Sequence, residues 1–184
     1  MSQIITRYDF DAVRVVSATG ARYYYEQRWQ YMERVTELLR SIDPAKVLEV
    51  GAYMLPMCLD CDIMDFDIAT VEYLERTYPI GKSFVMDAGV TPWPIADKSY
   101  DAVIGLQVWE HLAREQRSAL LEAQRVSDHL IITLPYEWNC PENKAHHMIS
   151  DKHVEQWFDG VEPAVNENIG ESPFIRKLLY YEFD

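Results

Sequence analysis

The chain contains few cysteines. Cys58, Cys61 and Cys140 are the only ones among 184 residues, and an odd number in a chain of this size does not indicate a disulfide framework. Cys58 and Cys61 have the spacing of a redox or zinc pair. A structural zinc site needs two further soft ligands, and the sequence has no second pair. We therefore predict that both are reduced structural thiols.

Basic residues are also scarce. The sequence has 17 Lys and Arg against 30 Asp and Glu, which gives a net charge of −13. Phosphate backbones repel such a surface, because nucleic-acid binding depends on cationic side chains that displace counterions. The acidic balance predicts a small-molecule substrate and no nucleic-acid or membrane partner. We expect a monomer or a homodimer.

Long apolar segments are absent. No run approaches the roughly 20 residues that span a bilayer, and the N-terminus lacks the basic and apolar blocks of a secretory signal. We therefore expect a cytoplasmic protein. Its length and its composition, 48% apolar and 26% charged, favour one globular domain over residues 1–184.

The chain does contain apolar runs that alternate with amphipathic segments. Apolar residues at steps of three and four predict a helix over 22–41, after an N-terminal segment, 1–21. Further helices are predicted over 68–78, 113–126 and 151–158, and strands over 46–50, 62–66, 83–86, 100–106, 129–134, 164–169 and 175–183. This alternation predicts a Rossmann-like, doubly wound α/β fold with a mostly parallel seven-stranded sheet and helices on both faces. The last two strands lack a helix between them and should form an antiparallel hairpin at the sheet edge.

Three of the predicted strands end in carboxylates. The first reads Val-Leu-Glu-Val-Gly over 47–51, the second meets Asp65 and Asp67, and the third ends at Asp87. The carboxyl ends of parallel strands lie at one edge of the sheet. Acids there, with a glycine at the first turn, are typical of sites that hold a nucleoside. We therefore predict a nucleotide-like cofactor.

Several segments in a fixed order resemble the motifs of a known family. They are the segments 47–51, 65–68, 86–88, 93–103, 108–112, 122–126 and 131–135. Together they resemble the class I S-adenosylmethionine-dependent methyltransferases, in particular the small single-domain group called type 11, over about residues 22–138. The resemblance implies S-adenosyl-L-methionine as the cofactor and S-adenosyl-L-homocysteine as its product.

The resemblance also implies roles for the strand ends. Glu49 would bond backbone or the cofactor's amino group, behind the turn at Gly51. Asp65 or Asp67 would hold the ribose hydroxyls; we prefer Asp65, because Asp67 could instead cap the following helix. Asp87 would receive the adenine amino group. The remaining predicted cofactor residues are Ala52, Tyr53, Phe66, Ala88, Gln107 and Val108.

Tyr53 stands where the family has its second glycine. A side chain with a Cβ resists a positive φ and close backbone approach. This departure therefore bears on cofactor affinity more than on the fold.

The candidate catalytic residues are histidines. His111, His146 and His147 could each take a proton from an acceptor hydroxyl. The alternative for His111 is a structural role with Glu110 at a helix start, and for the other two it is loop anchoring. No metal site is predicted from His146, His147, Asp151 and His153, because adjacent side chains in a loop diverge.

Aromatic and basic residues are the candidates for substrate binding. Those in the second half of the chain are Trp109, Tyr136 and Trp138, the last two in a predicted substrate-side loop, 136–150. Tyr23 and Arg28 would contribute from the N-terminal segment. The alternative for Trp109, Tyr23 and Arg28 is ordinary packing in the core.

The resemblance implies an enzyme of the EC 2.1.1 class that transfers a methyl group to a small molecule. We favour O-methylation of a sugar or an aromatic metabolite, in which the protein aligns the nucleophile and excludes water. One alternative is a catalytically silent module of this fold that acts through a partner. The other is a nicotinamide-dependent oxidoreductase, which would need a Gly-x-Gly-x-x-Gly loop where only Gly51 is present.

Overall fold

A seven-stranded sheet lies at the centre of the protein. The computed structural model describes residues 2–19, 24–112 and 114–183, and its strand order is β3-β2-β1-β4-β5-β7-β6. The strands are β1 (Val47–Val50), β2 (Asp62–Asp65), β3 (Ser83–Val85), β4 (Tyr100–Leu106), β5 (Ser127–Pro135), β6 (Val165–Ile169) and β7 (Arg176–Glu182). The first five are parallel, and β7 runs antiparallel to both β5 and β6. The predicted fold class and its antiparallel C-terminal hairpin are confirmed.

Helices cover both faces of this sheet. They are α1 (Arg7–Thr19), α2 (Arg28–Ile42), α3 (Ile68–Thr77), α4 (Gln116–Val126) and α5 (Asp151–Phe158), with a single 3₁₀ turn at Trp109–His111. The segment between β1 and β2 forms turns instead of a helix. Across the described ranges, no helix has the length and apolar character needed to cross a membrane.

Each face of the sheet has its own core. Neighbouring strand residues alternate between the two, so that Ala102 and Ile104 of β4 pack with α1, α2 and α3, whereas Val103 packs with α4 and α5. This alternation follows from the two-residue period of a strand. Because both faces are covered, the central strands are mostly apolar, as is typical of parallel sheets; Glu49 of β1 and Asp101 of β4 are the acidic exceptions.

The N-terminal helix differs from its predicted limits. The helix predicted over 22–41 begins at Arg28 and ends at Ile42. Tyr25 precedes this helix and is 55% exposed, so its predicted place on the apolar face is wrong. The buried face is formed instead by Tyr31, Met32, Val35, Thr36, Leu38 and Leu39.

The N-terminal segment contains a helix, α1, that the sequence pattern did not indicate. Phe10, Val13 and Ser17 are buried, whereas Val15 and Val16 are exposed. Its apolar residues therefore point to more than one side, and the period that marks an amphipathic helix is obscured.

The cysteines have the predicted character. All three are free thiols, and Cys58 and Cys61 are buried in the core that contains α1 and α2. Burial raises the pKa of both thiols. They are therefore protonated at neutral pH and have a packing role.

Candidate functional site

Two groups of residues occupy the carboxyl edge of the parallel strands. We name the first the β1–β3 edge (residues 51–57, 65–68 and 86–90) and the second the β4–β7 edge (residues 107–112, 136–149 and 174–176). The strand order reverses between β1 and β4. In open α/β sheets, ligands bind in the crevice at such a reversal.

The turn after β1 requires glycine for two reasons. Gly51 has φ +69°, in the left-handed region that residues with a Cβ adopt at a cost. A Cβ at this position would also lie 2.5 Å from Cγ2 of Val108, the second residue after β4. The Gly51 amide donates to the carbonyl of Met64, 2.8 Å away. The turn therefore joins the ends of β1, β2 and β4 closely.

Tyr53 occupies the position of the second motif glycine and keeps the glycine-like backbone. Its φ is +58°, so Tyr53 adopts the positive φ that its Cβ was expected to resist. The Tyr53 ring stacks near Tyr24 at 6.4 Å between centroids, and the Arg28 guanidinium carbon lies 5.6 Å from its centre. A non-glycine residue in the left-handed conformation destabilises the folded state by about 1–2 kcal/mol. The contacts of Tyr53 with Tyr24 and Arg28 offset this destabilisation.

Glu49 fastens the loop between β1 and β2. Its carboxylate is buried and accepts a hydrogen bond from the Met57 amide at 2.5 Å. Burial raises the pKa of Glu49 to about 8, although the Met57 amide and Arg28 act in the opposite direction. Ala52, within the same loop, is buried in the core. Of the two predicted roles for Glu49, the structure shows the bond to backbone.

The two acids after β2 have different surroundings. Asp67 is the N-cap of α3 and accepts from the Ala69 amide at 3.1 Å and the Thr70 hydroxyl at 2.8 Å. Asp65 is half-buried at the end of β2 and accepts from the Asp67 amide at 2.9 Å. The capping alternative for Asp67 is therefore what the structure shows. Asp65 is left as the carboxylate that faces the edge.

Apolar side chains near the ends of β2 and β3 are exposed, and Val85 is paired in register with Asp65. Phe66 is 78% exposed, and Val85 and Val90 are also exposed. Asp87 is exposed, and its Oδ1 accepts from the Gly89 amide at 2.8 Å. Large exposed apolar side chains that lie together mark binding surfaces more often than isolated ones do.

The backbone carbonyl of Ala88 holds the loop after β3. It accepts a hydrogen bond from Trp93 Nε1 at 2.9 Å, and Ala88 itself is buried. Trp93 belongs to the core beside α4. The loop is thereby anchored to the core beneath the exposed acid Asp87.

At the β4–β7 edge, two histidines from distant parts of the chain meet. His111 ends the 3₁₀ turn after β4, and His146 lies in the loop after β5. Their Nε2 atoms are 3.0 Å apart. Burial lowers the pKa of both imidazoles, and for His146 the neighbouring His111 and Arg176 lower it further. Both are therefore neutral at pH 7.

Glu110 lies beside these histidines in a buried position. Its side chain is 0% exposed, and its Oε1 is 3.8 Å from His146 Nε2. Neither carboxylate oxygen has a hydrogen-bond partner among the described residues. Burial raises the pKa of Glu110 to about 8, partly offset by its own backbone amide and by Arg176.

A guanidinium and an indole border this group. The Arg176 guanidinium carbon lies 3.7 Å from the centre of the Trp138 ring, and its NH1 donates to the Phe174 carbonyl at 3.0 Å. Burial lowers the pKa of Arg176 to about 10, so it stays charged at neutral pH. The Trp138 ring meets His146 edge-on at 5.8 Å and donates from Nε1 to the Ile175 carbonyl at 2.7 Å.

Solved structures with this architecture share little sequence with the chain. The methyltransferase domain of bacterial CtHen1 is 16% identical, covers 86% of this chain and 100% of that domain, and has a TM-score of 0.65. A SAM-dependent methyltransferase from Aquifex aeolicus is 14% identical and covers 95% of this chain and 98% of its own, with a TM-score of 0.65. The magnesium protoporphyrin IX methyltransferase of Synechocystis PCC 6803, solved with bound SAM, is 13% identical and covers 96% of this chain and 97% of its own, with a TM-score of 0.61.

No protein-family model matches the chain, and no curated protein matches it. The structural likeness covers most of the chain in each comparison. The chain has the class I methyltransferase fold. At these identities the likeness concerns the fold, and the site must be argued from its own residues.

The remaining predicted site residues of this class I fold are dispersed. Gln107 has φ +61° and donates from its side chain to the Thr133 hydroxyl at 3.2 Å. His147 accepts from the Cys140 amide at 3.1 Å, and its ligand atoms do not belong to the group formed by His111 and His146. Tyr23 lies outside the described residues.

Two predicted substrate residues are held by internal contacts. Trp109 is fully buried, packs against Gly105 and donates to the Gln116 carbonyl at 3.2 Å. Its prediction as a pocket wall is therefore corrected to a core position. The Tyr136 hydroxyl donates to Asp151 at 2.8 Å, which ties the start of the loop to α5.

Arg28 lies between the two edges. It donates from Nε to the Tyr31 hydroxyl at 2.9 Å, and its guanidinium carbon is 4.5 Å from the Tyr24 ring centre. Tyr31 in turn lies under Arg176, at 5.7 Å. Arg28 is therefore close to both Tyr53 and the β4–β7 edge.

A cleft opens beside the β4–β7 edge, between α2 and the turn that joins β6 to β7. Its volume is about 630 Å³, and it is lined by Gln27, Gln30, Glu33, Gly170, Glu171, Ser172 and Phe174. The Phe174 ring meets Trp138 at 5.7 Å. The cleft therefore leads toward the indole and guanidinium that border the histidines.

Sequence reasoning missed Glu110 and Arg176 as site residues. Glu110 was considered as a structural partner of His111, yet its carboxylate makes no hydrogen bond within the described part of the chain. Arg176 is followed directly by Lys177 in the sequence, and the charge patterning gave it no role. Only the tertiary structure shows that both groups are buried at the same edge.

Proposed function

We propose that this protein is an S-adenosylmethionine-dependent methyltransferase that acts on a hydroxyl of a small molecule. The observation that carries the proposal is the left-handed turn at Gly51, beside the carboxylate of Asp65 at the end of the neighbouring strand. The class I fold and the SAM bound in the Synechocystis enzyme support the same cofactor.

The β1–β3 edge fits the parts of this cofactor. Asp65 would accept hydrogen bonds from the ribose hydroxyls, because a carboxylate offers two acceptor oxygens. Phe66 and Val85 would pack against the adenine ring, with Asp87 near its amino group. Arg28, close to Tyr53, would bind the carboxylate of the methionine portion. When bound, the cofactor supplies a methyl group that is already activated on a sulfonium sulfur.

The β4–β7 edge fits an acceptor that must lose a proton. His111 and His146 are neutral imidazoles, since burial lowers the pKa of each. A neutral imidazole can accept the proton of an acceptor hydroxyl. The Trp138 and Phe174 rings would pack against a sugar or an aromatic metabolite.

The net charge supports an acceptor of small size. The charge of −13 opposes binding to nucleic acid. We extend the proposal to a cytoplasmic enzyme without a nucleic-acid or membrane partner.

Calorimetric titration tests the cofactor directly. We expect S-adenosylhomocysteine and S-adenosylmethionine to bind the purified protein with micromolar affinity, and NADH not to bind. Absence of binding by a protein that unfolds cooperatively would instead support a silent module. Tight NADH binding without S-adenosylhomocysteine binding would support an oxidoreductase.

The acceptor class is tested with labelled cofactor. We expect transfer of a labelled methyl group to members of a panel of small sugars and phenols. Transfer only to amines or carboxylates of matched size would contradict the hydroxyl assignment and leave the cofactor assignment intact.

A further inference from the structure

Three groups that commonly bind metals converge at the β4–β7 edge. Within the described ranges, Glu110, His111 and His146 form a group of potential metal ligands. Their ligand atoms all lie within 4.8 Å of one another. The two imidazole Nε2 atoms are 3.0 Å apart, and Glu110 Oε1 is 3.8 Å from His146 Nε2. Two imidazoles and one carboxylate form a common ligand set for first-row transition metals.

The Glu110 carboxylate is the second, independent observation. Both oxygens are buried, and neither has a hydrogen-bond partner among the residues that the structure describes. Buried polar side-chain atoms in native proteins almost always have a partner, and a group without one within the chain often binds an ion. A cation beside Oε1 would provide the missing partner.

The histidine pair has the geometry that metal binding needs. The two Nε2 atoms face each other at 3.0 Å. Only one proton can lie between them, so at least one Nε2 lone pair is directed into this space. A cation in that space would take the place of the shared proton.

We propose that Glu110, His111 and His146 bind a divalent first-row transition-metal cation of the Zn²⁺ and Co²⁺ type. Ligand atoms around such a cation at about 2.1 Å are roughly 3.0–3.4 Å from one another in tetrahedral or octahedral sites. The two Nε2 atoms already have this spacing. Glu110 Oε1 lies 3.8 Å from His146 Nε2 and within 4.8 Å of the His111 ligand atom, so a closer approach by this carboxylate would complete the set.

A polar side chain outside the three ligands supports His146. Asn143 Nδ2 lies 3.1 Å from His146 Nδ1. The oxygen and nitrogen of an amide exchange places on rotation, so Asn143 can accept a hydrogen bond from Nδ1–H. Metal-bound histidines usually donate from their second nitrogen to such an acceptor, which leaves Nε2 for the metal.

Arg176 is the charge that opposes the cation. Its NH1 donates to the Phe174 carbonyl at 3.0 Å, and its guanidinium carbon lies 3.7 Å from the centre of the Trp138 ring. These two contacts hold the guanidinium at the border of the site, although its Nε has no hydrogen-bond partner among the described residues.

The site suggests how an acceptor hydroxyl is activated, and this part of the inference rests on the proposed function. Three protein ligands leave coordination positions open, as in catalytic metal sites. The acceptor oxygen would bind in one of them, and the cation would lower the pKa of its hydroxyl. With both Nε2 atoms on the cation, His111 and His146 would act as ligands in place of their role as proton acceptors, and the proton released from oxygen would pass to water.

Calorimetry with metal-stripped protein tests the site without any cofactor. We expect one equivalent of Zn²⁺ to bind, and Co²⁺ to bind with a visible absorption band of the coordinated ion. His111→Ala, His146→Ala and Glu110→Gln should each weaken binding by about 100-fold or more, because each removes a ligand, whereas loss of a supporting group costs about 10–100-fold. His147→Ala is the matched control from the same loop and should keep the affinity of the unmodified protein.

Two results would overturn the metal site. One is no binding of Zn²⁺ or Co²⁺ by the unmodified protein, and the other is equal binding by the unmodified protein and all three ligand variants. Glu110→Gln is nearly isosteric, and its thermal unfolding shows whether the variant is folded. If the two histidine variants fail to fold, the metal affinity of Glu110→Gln still tests the site.

Titrations of the same protein samples with metal and with S-adenosylhomocysteine distinguish a failure of the metal site from a failure of the proposed function. S-adenosylhomocysteine binding without metal binding overturns the metal site and leaves the cofactor assignment. Metal binding without S-adenosylhomocysteine binding supports the site and overturns the proposed function. We expect both ligands to bind, with the three ligand substitutions changing only the metal affinity.

Discussion

The β1–β3 edge and the β4–β7 edge are built in different ways. At the first, acids bind backbone groups two residues away, as Asp65 and Asp87 do with the second amide that follows each. At the second, His111 meets His146, 35 residues later, beside a buried Glu110. Local chain geometry therefore shapes the β1–β3 edge. The β4–β7 edge depends on the packing of separate segments.

The two edges also differ in exposure. Phe66, Val85 and Val90 present apolar surface to solvent at the first edge. At the second, Glu110 has a buried carboxyl group without a hydrogen-bond partner in the described chain. An exposed apolar surface and a buried unpaired carboxylate both cost free energy in the absence of a ligand. The first edge would therefore suit a ligand with an apolar surface, and the second a ligand that interacts with a carboxyl group.

The largest expected effect concerns the turn that joins the two edges. Gly51→Ala should lower the free energy of unfolding by about 2–4 kcal/mol, because the new Cβ strains the left-handed backbone and overlaps Val108. Urea unfolding measures this change. Gly160→Ala is the control, since Gly160 also has a positive φ but nothing lies within 4 Å of its added Cβ; it should cost about 1 kcal/mol.

A double substitution separates the strain from the overlap. Gly51→Ala combined with Val108→Ala should recover part of the stability lost by Gly51→Ala, because the clashing methyl group is removed. Strictly additive losses would show that Val108 does not restrict this turn and would contradict the close contact between the edges.

The next effect is confined to the β1–β3 edge. Asp65→Asn should weaken S-adenosylhomocysteine binding by about 1–3 kcal/mol, because hydrogen bonds to a charged acceptor are lost. Asp67→Asn is the control, since asparagine is as good an N-cap as aspartate, and it should leave the affinity unchanged. Calorimetry on both variants measures the difference. A larger loss for Asp67→Asn would move the ribose site to the other acid.

A pH-dependent effect follows from the buried carboxylate of Glu49. Its pKa is raised from 4.5 to about 8 by burial, so the folded protein holds a proton that the unfolded chain releases between these values. Its stabilising contribution is therefore complete below about pH 4.5 and is lost as the pH rises toward 8. Within this pH range, Glu49 lowers the free energy of unfolding by about 1.4 kcal/mol for each unit by which the pH rises.

Urea unfolding of Glu49→Gln at pH 5, 6, 7 and 8 isolates this slope. The neutral amide can still accept from the Met57 backbone, so the variant should lose less stability than the unmodified protein over the same range. The same pH dependence in both proteins would show that Glu49 is already ionised when folded.

The smallest expected effect concerns the support of the proposed metal site. Asn143→Ala should weaken Zn²⁺ binding by about tenfold, because it removes the hydrogen-bond partner of His146 Nδ1. S-adenosylhomocysteine binding should not change, since Asn143 belongs to the other edge. A loss as large as that of His146→Ala would assign Asn143 to the ligand set itself.

Elements with a clear period could be predicted closely from the sequence. The helix over 151–158 and the strand over 100–106 have the predicted limits, because each has a regular apolar pattern and polar boundaries. Helix α1 was missed because its apolar residues do not share one face. The start of α2 was misplaced because Tyr25 extends the apolar pattern but is exposed in the structure.

The candidate site shows the same division. The ribose acid and the glycine turn follow from motif order along a single chain segment. The core position of Trp109 and the positive φ of Tyr53 do not, because both depend on neighbours from other segments: Gly105 makes room for the Trp109 ring, and Tyr24 and Arg28 pack on Tyr53.

The amino-acid sequence by itself determined the alternation of strands and helices, and with it the edge at which Gly51 and Asp65 lie. Hydrophobic period and turn chemistry act between near neighbours and can be read along the chain. Only the tertiary structure decided that Glu110, His111 and His146 share one buried space, because that depends on how the loop after β5 folds back over the end of β4. Burial then sets their pKa values and their need for a partner.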